Sequence, residues 1–109
     1  MASEVLKLAT FRGDANSVQA LLTVASGKTA TVLSVTICET AGAAETFDLY
    51  VMDDGGGTDN YIYKTQALGA NETFEHTGRI VLEATDELGF LTGSSANVDV
   101  TVSYLDQTL

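Results

Sequence analysis

One imidazole, one thiol and a run of acids among glycines are the groups in this chain whose types and spacing could do chemistry. His76 ends the segment Glu72-Thr73-Phe74-Glu75-His76. A serine hydrolase would need it beside an activated hydroxyl, yet no Gly-x-Ser-x-Gly turn occurs. Alternation along a strand would also send Glu75 to the opposite face. The expectation is a partly exposed strand histidine. Cys38 lies among Val35, Thr36, Ile37 and Glu39 with no basic neighbour to lower its thiol pKa, so it reads as structural rather than nucleophilic. One Cys and one His cannot supply the usual four zinc ligands.

The acids offer more. Asp53-Asp54-Gly55-Gly56-Gly57-Thr58-Asp59-Asn60 puts hard oxygens in a glycine-rich loop, the kind of donor set Ca²⁺ prefers, with Asp53, Asp54 and Asp59 as candidate ligands. Their spacing matches neither the helix–loop–helix calcium loop nor the Gly/Asp nonapeptide repeat. A hairpin loop with hydrated carboxylates is the simpler expectation, and two aspartates would repel a phosphate. Glu83, Asp86 and Glu87 could be imagined as the paired acids of a glycosidase, but nothing fixes their separation and a solvated turn accounts for them. Tyr50, Tyr61 and Tyr63 flank the glycine loop and would be the rings of a sugar platform, without any Trp to help. Neither catalysis nor a cofactor is expected.

The elements that must carry these groups are strands. Apolar residues recur with period two, and turn residues return about every 8–14 positions. In Asn97 to Tyr104, Val98, Val100, Val102 and Tyr104 point one way while Asn97, Asp99, Thr101 and Ser103 point the other. Further strands are expected at Val5–Phe11, Val18–Val24, Thr29–Thr40, Thr46–Val51, Tyr61–Leu68, Thr73–His76, Arg79–Ala84 and Phe90–Leu91. A helix over Asp14–Leu22 is the one alternative, and Val18, Thr23 and Val24 weigh against it. The expected fold is all-β: a single antiparallel β-sandwich, jelly-roll-like, of about eight to nine short strands. Its inward set is Leu22, Val24, Leu33, Val35, Ile37, Phe47, Leu49, Val51, Ile80, Leu82, Val98, Val100 and Val102.

Composition agrees. Residues branched at Cβ (15 Thr, 10 Val, 3 Ile) favour extended backbone, and proline is absent, so turns fall to Gly, Asn, Asp and Ser. With 109 residues, one domain over 1–109 is expected. Fifteen acidic residues against five basic ones give a net charge of −10, which argues against nucleic acid and against anionic membrane as partners. No apolar run approaches the roughly 18 residues of a membrane helix. The lone Cys38 precludes an internal disulfide and suits a reducing compartment, and Met1 to Lys7 does not read as a secretory signal.

The second half carries a resemblance. Leu68-Gly69-Ala70-Asn71-Glu72-Thr73 leads into Arg79-Ile80-Val81-Leu82-Glu83-Ala84, then Thr85-Asp86-Glu87-Leu88-Gly89-Phe90-Leu91. Ser94-Ser95-Ala96-Asn97 then opens Val98-Asp99-Val100-Thr101-Val102-Ser103-Tyr104. Over residues 68–106 this resembles the closing strands of small jelly-roll-like β-sandwich proteins of tailed bacteriophage virions, of the capsid decoration or cement type. Thr85 departs from it, since related chains often have Gly there, and a turn of different shape is expected. The resemblance implies a virion structural protein that binds the major capsid protein on the outer surface, is made in the host cytoplasm, and associates as a homo-oligomer, with a trimer favoured. It implies no catalytic residues. A tail or head–tail junction component and a carbohydrate-binding module are the alternatives. The residues expected to make contacts are Val5, Leu6 and Leu8, in an N-terminal strand or arm (1–12) that engages a neighbouring subunit, with Tyr61 and Tyr63.

Overall fold

A computed structural model of the chain describes residues 3–53 and 58–108. Among these are nine strands and no helix: β1 (Ser3–Asp14), β2 (Gln19–Thr23), β3 (Lys28–Glu39), β4 (Glu45–Asp53), β5 (Thr58–Leu68), β6 (Thr73–His76), β7 (Ile80–Leu82), β8 (Glu87–Thr92) and β9 (Asn97–Thr108). The helical alternative over Asp14–Leu22 is thereby set aside in favour of β2.

Every strand pair is antiparallel, and the pairs are nested. β1 pairs with β9, β2 with β8, β3 with β6 and β7, and β4 with β5. The chain is one long hairpin folded over on itself. Pairing of β3 with β9 and of β4 with β8 joins its arms into two sheets. One runs β1-β9-β3-β6, with β7 also on β3, and the other runs β2-β8-β4-β5. That order is a jelly roll, a way of making two facing sheets from one strand meander.

The core between the sheets follows the alternation. Leu22, Val24, Val35, Ile37, Phe47, Leu49, Leu82, Val98, Val100 and Val102 are buried as expected, joined by Val32, Leu68, Leu88 and Phe90. Three expected core residues are only half-buried: Leu33, Val51 and Ile80. For Leu33 the cause is a β-bulge. The register of β3 against β9 shifts between Val32 and Ser34. Inward residues are therefore Ala30 and Val32 before the bulge, and Val35 and Ile37 after it, with Leu33 displaced from the core. Val51 and Ile80 do pack against the core, near strand ends where cover is incomplete.

Tyr50 faces away from that core, as alternation with Phe47, Leu49 and Val51 requires, yet it is 2% exposed. Its ring lies across Gly89, its direct cross-strand partner, where a methyl would sit 2.5 Å from the ring. β1 and β9 also run further than the expected Val5–Phe11 and Asn97–Tyr104, because they pair residue for residue from Ser3↔Thr108 to Asp14↔Asn97 without a shift. Thr85 takes φ 72°, the left-handed region that glycine favours. The departure from glycine therefore leaves the turn in a glycine-like conformation at the expense of backbone strain.

Candidate interaction surface

The first half of β1 is exposed along its whole length, from Ser3 to Leu8. Alternation divides it. Ala9 and Phe11 pack against the core, so Val5 and Lys7 share their face, and Leu6 and Leu8 point outward. Val5 is 49% exposed, Leu6 72% and Leu8 62%.

On the inner face the strand is pinned by charge. Lys7 Nζ lies 2.8 Å from Asp106 Oδ2 on β9, and Lys28 Nζ of β3 lies 3.3 Å from the same oxygen. The hydrogen bond from Lys7 is the main reason the Asp106 carboxyl titrates below its ordinary value, despite the partial desolvation that opposes it. The same bond raises Lys7. Two of the chain's five basic residues are thus spent on one carboxylate where the sandwich opens.

On the outer face the pairing builds an apolar row across four strands. Leu6 of β1 opposes Leu105 of β9, Leu105 opposes Thr31 of β3, and Thr31 opposes Val81 of β7. Val81 is 66% exposed. Beside this row, Leu6, Leu8 and the bulged Leu33 line a shallow groove with Lys7, Ser103 and Tyr104. No acid lies in the row or the groove, on a molecule of net charge −10.

Val81 and Leu105 escaped the sequence reading. Val81 had a signal: it is the middle of Ile80-Val81-Leu82, and a strand cannot bury three consecutive side chains on one face. Leu33 needed the bulge, which no residue type announces.

The expected tyrosine contacts separate. Tyr61 and Tyr63 are two apart and would share a face, but the register of β4 against β5 shifts between Leu49 and Tyr50, which pair with Tyr63 and Tyr61. Tyr63 therefore turns inward, edge-on to Phe74 at 4.9 Å between ring centroids, and its hydroxyl shares a 2.8 Å hydrogen bond with His76 Nδ1. Tyr61 stays outside against Tyr50, 47% exposed, with Lys64 Nζ 4.4 Å above its ring. The three rings do not make one coplanar platform. His76 is half-buried, and its Nε2 is buried without a hydrogen-bond partner among the described residues.

Asp54 lies outside the described residues. Asp53 pairs with Thr58 and Met52 with Asp59, so successive register positions put Asp53 and Asp59 on opposite faces of the ribbon. No cluster of three or more His, Cys, Asp or Glu able to hold a metal occurs among the described residues. Asp86 is buried and accepts the Glu83 backbone N–H at 2.9 Å, while Glu87 accepts the Thr23 hydroxyl at 3.3 Å. These acids close a turn and brace β2 against β8.

Glu39, which the sequence reading passed over, is a heavily used carboxylate. It is 1% exposed and accepts backbone N–H groups from Ala41, Gly42, Ala43 and Asn71 at 2.9–3.1 Å. The Asn71 amide, foremost, with the other three, holds its carboxyl below the usual range. It ties the β3–β4 loop to the β5–β6 turn. An acid one residue short of Ala41-Gly42-Ala43 was its only trace in the sequence.

No protein-family model and no curated protein matches the chain. Solved structures do share its fold. A chain of the acidic stable capsid structure of Helicobacter pylori bacteriophage KHP30 aligns with TM-score 0.61 over 96% of this chain and 93% of its own, at 18% identity. A chain from Bacillus endospore appendages, described as disulfide-linked pili, gives 0.58 over 99% and 88%, at 11% identity. A chain of infectious bursal disease virus, Gx strain, gives 0.57, and there this chain spans 32% of the other's length, at 12% identity. The likeness is one of fold. The neighbours themselves come from a phage capsid, endospore pili and a virus particle.

Proposed function

We propose that this chain is a capsid decoration protein of a bacteriophage: it binds the major capsid protein on the outer shell and stabilises the head. The observation that carries this is the near end-to-end fold likeness to a phage capsid chain, 96% of one on 93% of the other. The resemblance over residues 68–106 points the same way from sequence. The surface suits the role. A jelly roll leaves strand edges and sheet faces free for protein contacts. The charge-free row of Leu6, Leu105, Thr31 and Val81 offers a docking face that does not fight the shell's own charge. Net charge −10 keeps the free protein dispersed before docking and disfavours the packaged DNA, which favours an outer position. The resemblance further implies trimers at the threefold axes of the shell, an arrangement of the docked protein and not of the free one.

The test is reconstitution. Capsids of the encoding phage lacking this protein are expected to bind it with saturation and to resist heat better afterwards. Leu6→Asp and Val81→Asp are expected to weaken binding by about tenfold or more each. Capsids that neither bind it nor gain stability would overturn the reading.

A further inference from the structure

We propose that two copies of the free protein join along their β1 edges about a two-fold axis through Leu8, so that the β1-containing sheets of both copies become one continuous sheet. The inference does not rest on the virion role.

β1 ends its sheet, with β9 on one side and no strand on the other among the described residues. Natural edges are usually blunted by proline, by a bulge or by an outward lysine. The chain has no proline. The β1–β9 register runs twelve pairs without a shift, so no bulge twists the edge away. Lys7, its central charge, is drawn to Asp106 on the inner face. Three of the six exposed large apolar side chains among the described residues, Val5, Leu6 and Leu8, lie on this strand. It is a long, straight, apolar edge that is left open.

Symmetry and charge then select a second copy, and a register. A two-fold axis perpendicular to the sheet sets outer residues opposite outer residues. Free backbone N–H and C=O groups also belong to every second residue. Both conditions require the paired residue numbers to sum to an even number, which places the axis at a residue. With the axis at residue 7, Lys7 would oppose Lys7 of the second copy. With it at residue 9, Glu4 would oppose Asp14. With it at residue 8, Glu4 opposes Arg12 twice, Lys7 opposes Ala9, Leu6 opposes Thr10, Val5 opposes Phe11, and no like charges meet. Glu4 and Arg12 both lie on the outer face, opposite Gln107 and Asp99 of β9. Arg12 Nε lies 3.8 Å from Asp99 Oδ1, a long ion pair that leaves the side chain 90% exposed and able to reach a partner's carboxylate as well. The strand is self-complementary in this register, and its charges cancel at the seam of two molecules that otherwise repel.

Sedimentation equilibrium of the full chain, with Leu8→Cys cross-linking in a Cys38→Ser background, tests the proposal. The expected mass is twice 11.4 kDa. Glu4→Arg and Arg12→Glu are each expected to weaken the dimer by about tenfold or more, and the double exchange to restore it. Leu8→Cys is expected to form a disulfide dimer on mild oxidation. Leu6→Cys, which faces Thr10, is expected to form one only when mixed with Thr10→Cys. Circular dichroism of each variant keeps misfolding apart from loss of pairing. A monomer, a trimer, or a dimer indifferent to both charge changes and without the Leu8→Cys cross-link would overturn the proposal and leave capsid binding to be judged on its own assay.

Discussion

Glu39 shows how a single side chain can hold two loops. Four backbone amides converge on its carboxylate, so its folded pKa lies below the unfolded value of about 4.3. A carboxylate depressed in this way stabilises the fold fully above its unfolded pKa, and that contribution is lost as pH falls through the folded pKa. Glu39→Gln is therefore expected to lower the urea midpoint clearly at pH 7, with the variant and parent curves converging as the pH drops below 4. Parallel curves would show that the charge is immaterial. Thr85 is the converse, a residue the backbone tolerates rather than needs. Its amide bonds to the Val24 carbonyl at 2.9 Å and its turn is closed by Asp86, so φ 72° is imposed on a β-branched side chain. Thr85→Gly is expected to raise stability by about 1 kcal/mol in denaturant melts, through relief of that strain.

Strands are where period-two reading works and where it slips. It located all nine, because alternation under a buried face is the physical requirement for a strand in a sandwich. It misjudged Leu33 and Tyr63, residues at register shifts, because an extra residue reverses which parity faces the core while leaving the sequence pattern intact. Leu33 reads as part of the Leu33, Val35, Ile37 series, and the structure seats Val32 in its stead. The two substitutions separate the readings. Val32→Ser is expected to cost about 2–3 kcal/mol and Leu33→Ser about 1 or less. The reverse order in thermal melts would place the bulge elsewhere. The same effect parted Tyr61 from Tyr63, so half of the expected tyrosine contact surface became a core-facing ring bonded to His76. The apolar positions of β1 were legible as exposed candidates because Val5-Leu6-Lys7-Leu8 has no polar alternation to mark a wet face.

At the scale of the molecule, the nested pairs join the most distant parts of the chain. Ser3 meets Thr108, and the outer pairs form only after a loop of nearly the full chain has closed. Refolding from urea is expected to take milliseconds to seconds, as in other sandwiches dominated by non-local strand pairs. Stopped-flow traces complete within microseconds would contradict that. The all-β class, about eight to nine strands, most of the core and a strongly acidic composition were legible in the sequence, because alternation, turn chemistry and net charge are local or additive properties. Only the tertiary structure decided which strands became neighbours, which parity of β3 faces inward, that Glu39 gathers amides from two loops, and that Leu6, Leu105, Thr31 and Val81 form one row. Those are relations between residues dozens of positions apart. They exist only once the sheets have chosen their order and register, which follows from the fit of two whole surfaces rather than from any residue's own preference.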